Sequence, residues 1–331
     1  MVPQVDLAAA KDLPQLTRLL RIQPHVLAEV LANRAAHYES RPLRRSRRGR
    51  KPRRVYKVRR PLRDLQRQMK DWLNRKGIRT PVATAFWRNC SPLANASAHT
   101  GARFVTVADI RDFFGSVTFS MVKQVLGSTG CGETVAHVLA KLATYEESLP
   151  QGARSSPVLS NLACVALDEE LSKFAGDRGL AVTRYVDDLT FSGDVRVAPR
   201  EIRGLLRPHG FVLRPSSYRC FTKGGPQFVT GLCVADHENQ VVRLPRSYKR
   251  WLRLEAHYVA MHGVERQAAL THRDAPELAF YLKGHLHHAH SVEPRFAEPF
   301  LETALPRIHE FIEELRERQR EEDEEEDYHW Y

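Results

Sequence analysis

Three aspartates, at two points of the chain, have the side chains and the local setting of catalytic metal ligands. Asp109 closes a run of strand-forming residues, and the pair Asp187 and Asp188 lies between two more, so each acid is expected at a strand end or turn. Adjacent strands would bring the three carboxylates together. Such carboxylates repel one another unless cations lie between them, and two Mg²⁺ ions about 3.5 to 4 Å apart would activate an attacking hydroxyl and neutralise a departing pyrophosphate. The pattern indicates nucleotidyl transfer, although an Asp-Asp pair alone is more typical of two solvated acids in a hairpin turn.

Several elements must position these acids. The apolar spacing predicts one or two helices over residues 13–33 broken at Pro24, a strand near residues 53–58 and a helix over 62–76. A single helix is predicted for residues 156–174. Further on, residues 228–234 and 240–244 read as a hairpin that turns at His237, Glu238 and Asn239.

The charge of the chain is uneven. Its 331 residues suit one enzyme built of several lobes around a single site, and its net charge is +12. Eleven acidic and three basic residues lie from Glu310 onward, which leaves 48 basic and 28 acidic residues in residues 1–309. Between Arg41 and Arg63 there are 13 Lys or Arg and no acid, typical either of a disordered basic tail or of a basic strand before a helix. The basic surplus predicts that residues 1–309 bind a polyanion. Composition alone does not show whether that polyanion is nucleic acid or anionic lipid.

Composition also narrows the class of protein. No stretch approaches the roughly 20 apolar residues of a membrane helix, and the N-terminus lacks the pattern of a secretion signal, so we expect a cytoplasmic protein with no membrane partner. The five cysteines are widely spaced and odd in number, which favours reduced thiols over disulfides or structural zinc.

Three short motifs occur in order, Asp109–Phe114, Leu149–Gly152 and Tyr185–Asp188, and together they resemble the palm motifs of reverse transcriptases. Two further elements narrow the family. Asn95–His99 is similar to the Asn-Ala-x-x-His element of retron reverse transcriptases, and Val229–Gly231 is similar to their Val-Thr-Gly element. The chain therefore resembles a retron reverse transcriptase.

The resemblance covers about residues 41–260 and implies a right-hand polymerase fold, α/β (α+β) in class, with fingers, palm and helical thumb. Fingers and palm would span residues 41–235, and the thumb, which would bind RNA and DNA, would span 236–312. An N-terminal helical extension would occupy residues 1–40, and a charged acidic tail would occupy 313–331.

The family's site residues carry over onto matching positions of this chain. The resemblance implies that Asp109 and Asp187 bind two Mg²⁺ ions while Asp188 completes the acidic turn. Phe114 matches an aromatic steric gate against a ribose 2′-hydroxyl, and a buried core role is its alternative. The substrate-binding set comprises Phe114, Gln151, and Arg53 or its neighbour Arg54 as the arginine that grips the triphosphate of a dNTP.

Nucleic-acid contacts are expected at two places. The retron-like elements contribute Asn95, His99, Val229, Thr230 and Gly231. A helix after Pro245 places four basic residues on one face, suited to tracking a phosphate backbone: Arg246, Lys249, Arg250 and Arg253.

The resemblance further implies RNA-directed DNA synthesis on a cognate noncoding RNA that serves as template and primer. Priming from a 2′-hydroxyl would yield RNA-linked single-stranded DNA, in antiphage defence with an effector protein. One alternative is another prokaryotic reverse transcriptase, of group II intron-like or defence-associated type. The other is a catalytically inactive polymerase fold kept as an RNA-binding scaffold.

Some residues depart from the family pattern. Val186 stands where retron enzymes usually have Ala, and Arg154-Ser155 replaces the usual Pro-Thr. Ser217 stands in place of a Lys that is the usual candidate proton donor to pyrophosphate, with Arg219 or Lys223 as possible substitutes. The histidines from His285 to His290 favour a solvated or RNA-facing helix over a metal site.

Overall fold

The computed structural model describes residues 5–42 and 54–328, with side chains described for residues 5–41 and 54–320. The chain forms two compact units. The first unit comprises Met1–Ala98 and Ala102–Thr222, and the second comprises His99–Gly101 and Lys223–Tyr331.

The first unit begins with two short helices and a hairpin. Helices α1 (Leu13–Leu20) and α2 (Pro24–Ala32) are separate, as predicted, because Pro24 occupies the first turn of α2, where its missing N–H is tolerated. Strand β1 (Tyr38–Pro42) pairs antiparallel with β2 (Arg54–Val58), and helix α3 (Leu62–Arg75) follows. The strand and the helix predicted for this region are confirmed.

A four-stranded antiparallel sheet lies at the centre of the first unit. Its strands are β3 (Phe104–Asp109), β4 (Ala181–Tyr185), β5 (Asp188–Gly193) and β6 (Arg219–Thr222), in the order β4-β5-β3-β6. Strand β3 lies between β5 and β6. Its last residue, Asp109, pairs with Asp188 of β5, whereas β6 pairs with β3 only as far as Val107. The predicted mixed class of helices and sheet is confirmed.

Helices supply most of the first unit's core. Their bounds are α4 (Pro92–Ser97), α5 (Phe113–Ser116), α6 (Phe119–Ser128), α7 (Glu133–Ala143), α8 (Ser156–Ala163), α9 (Val165–Gly176) and α10 (Pro199–Leu206). The single helix predicted for residues 156–174 is wrong, because Cys164 leaves helical geometry and its N–H donates to the Asn161 carbonyl, one residue short of the α-helical partner. Apolar faces of α7, α8 and α9 are buried, and this burial is the main stabilising term.

The second unit is mainly helical. It contains α11 (Arg246–His262), α12 (Val264–Thr271), α13 (Ala275–Val292) and α14 (Pro294–Tyr328), which includes the described part of the acidic tail. The predicted pairing of residues 228–234 with 240–244 is confirmed at one bridge, where Cys233 and Arg243 exchange two backbone hydrogen bonds of 2.8 Å, and the chain between them turns at His237, Glu238 and Asn239. The first of these segments also folds on itself, because strands β7 (Phe228–Val229) and β8 (Leu232–Cys233) turn at Thr230 and Gly231, whose positive φ values of 46° and 82° suit a two-residue hairpin turn.

No helix in the described part of the chain is long and apolar enough to cross a membrane.

Candidate active site

The structure brings the predicted aspartates of the first unit together. Asp109 ends β3 and lies directly opposite Asp188, the first residue of β5. Asp187 occupies the two-residue turn between β4 and β5, and its carbonyl accepts a hydrogen bond of 2.9 Å from the N–H of Ile110. The sheet register therefore places acids that are distant in sequence at one edge of the sheet.

The acidic turn contains a strained residue. Val186 has a φ of 62°, which is unusual for a β-branched side chain and costs roughly 1 to 2 kcal/mol. Its carbonyl accepts a hydrogen bond of 3.1 Å from Arg184 Nη1. The turn is thus held in its strained form by the guanidinium of a residue in the strand that precedes it.

Arg184 belongs to a buried polar network beneath the turn. Its side chain is 0% exposed, and its Nε and Nη2 donate to the two carboxylate oxygens of Asp168 at 2.7 and 2.8 Å. Nη1 also donates to Asn161 Oδ1 at 3.2 Å, and Thr80 Oγ1 donates to Asp168 Oδ2 at 2.6 Å. Sequence patterns did not single out this network, although an Arg just before the acidic turn was a possible signal.

A second arginine contacts Asp109 itself. Arg214 Nη1 donates to Asp109 Oδ2 at 2.7 Å, and the two side chains are only 18% and 16% exposed. The segment that carries Arg214 lies beside the end of β3, because Ile110 forms an antiparallel bridge with Leu213. Sequence reasoning assigned no role to Arg214, although it lies in the segment just before Ser217.

Ser217 hydrogen-bonds to the same end of β3. Its Oγ accepts a hydrogen bond of 2.8 Å from the Asp109 N–H and donates one of 2.7 Å to the Arg214 carbonyl. The residue that stands in place of the expected lysine therefore has a structural role here. Of the two substitute candidates, Arg219 donates to the nearby carbonyls of Ser216 and Tyr218, while Lys223 belongs to the second unit.

A cleft of about 770 Å³ opens at this edge of the sheet. Its lining includes five residues that matter for the chemistry, namely Arg54, Phe114, Gln151, Asp187 and Arg214. Four of these five were predicted as site residues from sequence. Arg53, the other arginine considered for the triphosphate, lies outside the described residues.

Backbone contacts position Gln151 at the cleft. The Tyr56 N–H of β2 donates to the Gln151 carbonyl at 2.8 Å. The next residue, Gly152, has a φ of 103°, and a Cβ there would collide with the Tyr56 carbonyl oxygen. Only glycine permits this close approach of the loop to β2.

Phe114 is half-buried in helix α5. Its ring centroid lies 5.6 Å from that of Phe113 and 6.4 Å from that of Phe86, and the side chain also lines the cleft. The ring therefore combines a packing contact with a surface that a substrate could reach.

The acids offer oxygen ligands of the kind that Mg²⁺ prefers. Asp109 and Asp187 lie at neighbouring strand ends, so the donor set fits a divalent cation. Among the residues whose placement is described, however, no three His, Cys, Asp or Glu side chains are already close enough together to hold a metal ion. The two-ion prediction stays a prediction.

Two of the predicted RNA contacts are buried. Asn95 is 0% exposed, and its Oδ1 accepts a hydrogen bond of 2.6 Å from Thr84 Oγ1. The Thr84 N–H in turn donates to the Arg184 carbonyl at 3.0 Å, which links Asn95 to the strand before the acidic turn. His99 is also 0% exposed, and burial lowers its pKa to about 4.

The other retron-like element forms the β7–β8 turn of the second unit. Val229 is buried, Thr230 is half-buried and Gly231 is exposed. This turn therefore presents at most two of its three predicted contacts to solvent.

The basic face of α11 is not uniform. Arg246, Arg250 and Arg253 are exposed, as expected for residues that meet a phosphate backbone. Lys249 is instead half-buried, and its Nζ lies 3.1 Å from a carboxylate oxygen of Glu293. An ion pair within the second unit therefore already engages one of the four predicted cations.

The histidines of α13 take part in aromatic packing. The Tyr248 hydroxyl lies 2.9 Å from His285 Nδ1, and the His285 ring lies 4.9 Å from that of Trp251. Burial lowers the pKa of both His285 and His288, which favours their neutral forms.

Comparison with known proteins supports a similarity to reverse transcriptases. The family model described as "Reverse transcriptase (RNA-dependent DNA polymerase)" matches residues 50–203, which contain all three aspartates. The chain is 34% identical to the retron Ec86 reverse transcriptase of Escherichia coli, over 62% of this chain and 64% of that protein. It is 35% identical to the retron Mx65 reverse transcriptase of Myxococcus xanthus, over 62% of this chain and 52% of that protein. It is 32% identical to the retron Mx162 reverse transcriptase of the same organism, over 67% of this chain and 52% of that protein. The matches span between half and two thirds of these relatives' lengths. The chain is thus similar to reverse transcriptases over residues 50–203, and the relatives that it matches are retron reverse transcriptases.

Proposed function

We propose that this protein is an RNA-directed DNA polymerase. The observation that carries the proposal is the meeting of Asp109, Asp187 and Asp188 at one sheet edge, beside a cleft lined by Arg54 and Gln151. An exposed pair of acids in an isolated hairpin would need neither the buried support beneath the turn nor the adjoining cleft. The match of residues 50–203 to the reverse transcriptase model supports the same activity.

Asp109 and Asp187 would hold the divalent ions, and Mg²⁺ is the ion that we propose, two per site. Bound there, the ions would supply activation of the attacking hydroxyl and neutralisation of the leaving pyrophosphate. Asp188, exposed and opposite Asp109 in the sheet, completes the acidic edge. The three carboxylates orient and neutralise the cations, so their loss would remove transition-state stabilisation and leave the fold in place.

The cleft residues would bind the incoming dNTP. Arg54 supplies a guanidinium suited to bidentate contact with phosphate oxygens, while Gln151 reaches the nucleotide and the template base. The half-buried ring of Phe114 would lie beneath the sugar and exclude a 2′-hydroxyl. Its packing against Phe86 and Phe113 supports this role, because a gate works only if its ring cannot move aside.

The polymerase assignment predicts the effect of one conservative substitution. Asp187→Asn should abolish extension of a DNA primer annealed to RNA while leaving the melting temperature and RNA binding nearly unchanged. Removal of a metal ligand typically costs several kcal/mol of transition-state stabilisation, and each 1.4 kcal/mol is about tenfold in rate. Asp194→Asn, an exposed acid one residue beyond β5, is the matched control and should retain full activity. A variant of Asp187 with a tenth or more of wild-type activity would contradict the assignment.

The retron relatives support a narrower proposal. We propose that the protein reverse transcribes a cognate noncoding RNA, which is both template and primer, from a 2′-hydroxyl into RNA-linked single-stranded DNA. A role in antiphage defence with an effector protein belongs to the same proposal. Asn95 and His99 would act on the RNA through the structure that they hold, since both are buried. Residues 236–312 would form the thumb, with the exposed arginines of α11 on the nucleic acid.

The product tests the retron proposal. Nucleic acid from cells that carry the gene and its flanking DNA would be treated with RNase, with and without a debranching nuclease, and run on a denaturing gel. A short DNA whose mobility changes on debranching supports 2′-priming. Absence of any short DNA would leave a polymerase that does not act as a retron enzyme.

A further inference from the structure

The ion pair between Arg214 and Asp109 lies at the atom where a metal ion would bind. Arg214 Nη1 is 2.7 Å from Asp109 Oδ2, and both side chains are largely buried. A guanidinium carries a permanent positive charge in proteins. A divalent cation on the same carboxylate would therefore meet a fixed like charge at close range.

Only the side chain of Arg214 is free to respond. Its backbone N–H donates to the Asp109 carbonyl at 2.8 Å, and its carbonyl accepts from Ser217 Oγ at 2.7 Å. The main chain is therefore fixed to the end of β3. The long side chain above it can leave Asp109 by rotation about its own bonds, without any movement of the sheet.

The cleft determines where the guanidinium would go. Arg214 lines the same cleft as Arg54, Gln151 and Asp187. A nucleoside triphosphate entering that cleft brings the phosphate oxygens that bind guanidinium groups best, so it offers Arg214 an alternative anionic partner.

We propose that Arg214 is an internal counter-cation for Asp109, which a divalent metal ion must displace, and that the displaced guanidinium pairs with the triphosphate of the incoming nucleotide. Metal binding at Asp109 and nucleotide binding are then positively coupled. This inference rests on the proposed polymerase function, because it assumes that Asp109 is a metal ligand. It also gives the chain a cation at the reacting phosphates, although an arginine cannot serve as the proton donor that the missing lysine would be.

Binding of Mn²⁺ tests the inference without any turnover. Free Mn²⁺ would be measured by electron paramagnetic resonance during titration of the full chain, with and without a non-hydrolysable dNTP analogue. The variants are Arg214→Gln and Arg214→Met, so that the result does not depend on one replacement, and melting curves check that each is folded. Arg203→Gln, an exposed arginine on α10, is the matched control.

Without nucleotide, the Arg214 variants should bind Mn²⁺ at least about tenfold more tightly than the wild type. The analogue should tighten Mn²⁺ binding to the wild type several-fold, and this coupling should shrink toward onefold in the variants. Arg203→Gln should match the wild type in both measurements.

Two outcomes separate the inference from the proposed function. If Asp109→Asn weakens Mn²⁺ binding to the wild-type chain but Arg214→Gln and Arg214→Met leave it unchanged or weaker, the counter-cation role is wrong and the metal site stands. If neither Asp109→Asn nor Asp187→Asn changes Mn²⁺ binding in any background, the metal site itself is wrong, and the inference is overturned with it.

Discussion

Replacement of Arg184 by methionine is expected to destabilise the first unit strongly and to disturb the acidic turn. Methionine keeps much of the length of the side chain but removes the charge and every hydrogen bond donor. Asp168, only 1% exposed, would then retain its carboxylate without the guanidinium that donates to both of its oxygens. The Val186 carbonyl would lose its donor at the same time.

The loss of unfolding free energy follows from the charge that stays buried and from the hydrogen bond that is lost. Removal of one partner from a buried ion pair costs about 3 to 5 kcal/mol, because the remaining charge stays buried. Loss of the donor to the Val186 carbonyl adds about 1 kcal/mol. Since domains unfold with about 5 to 15 kcal/mol, we expect Arg184→Met to remove about a quarter or more of the unfolding free energy.

Urea denaturation at pH 7 would measure the loss, alongside the double variant Asp168→Leu with Arg184→Met. The double variant should recover at least half of the lost free energy, because it buries no charge. It should still extend primers at least tenfold more slowly than the wild type, since the Val186 carbonyl remains without its donor. Arg178→Met, which loses an exposed ion pair of 3.7 Å with Glu201, should cost less than about 1 kcal/mol.

Two results would refute this reasoning. A loss below about 1 kcal/mol in Arg184→Met would mean that the pair contributes little to stability. Full polymerase activity in a folded double variant would mean that Arg184 only stabilises the fold and does not position the acidic turn.

Three further predictions follow from the site and the second unit. Phe114→Val should raise incorporation of ribonucleotides relative to deoxyribonucleotides in single-nucleotide extension, and an unchanged ratio in a folded variant would make the ring a core residue only. Arg246→Ala with Arg250→Ala should flatten the slope of log affinity against log salt for a template-primer duplex by up to about 2, whereas an unchanged slope would place the duplex elsewhere. Burial lowers the pKa of His99 to about 4, so the unfolded chain binds the proton more readily and stability should fall as the pH drops from about 6.5 toward 4. His99→Gln should lose less free energy over that range in denaturation curves, and equal losses would contradict the burial effect.

Much of the site could be predicted because its signals are local. Asp109 and Asp187 stand at the ends of strand-forming runs. Phe114 and Gln151 lie within the short motifs Asp109–Phe114 and Leu149–Gly152. A motif of four to six residues specifies a side chain together with its local backbone, so its order along the chain indicates the site before any contact is known. The resemblance to reverse transcriptases and the mixed helix and sheet class, both confirmed, rest on the same local information.

The local signals did not predict the conformation where residues distant in sequence determine it. The helix predicted over residues 156–174 breaks at Cys164, and the Asn161 side chain in that region bonds to Arg184 and to the Ala85 carbonyl. The additional β7–β8 turn has no local signal either, because the positive φ of Thr230 is one that no propensity favours. In the helix, tertiary contacts override the preference of the segment alone.

The sequence by itself determined which residues can do chemistry and the order in which they occur, because side-chain type and strand or turn propensity are properties of short segments. Only the tertiary structure decided that Arg214 reaches Asp109, that Arg184 and Asp168 are buried together beneath the acidic turn, and that Lys249 is paired with Glu293. These contacts join residues from 16 to 105 positions apart. These charged groups come into contact only after burial of apolar surface has folded the intervening chain and brought its ends together. No short segment encodes that loop closure.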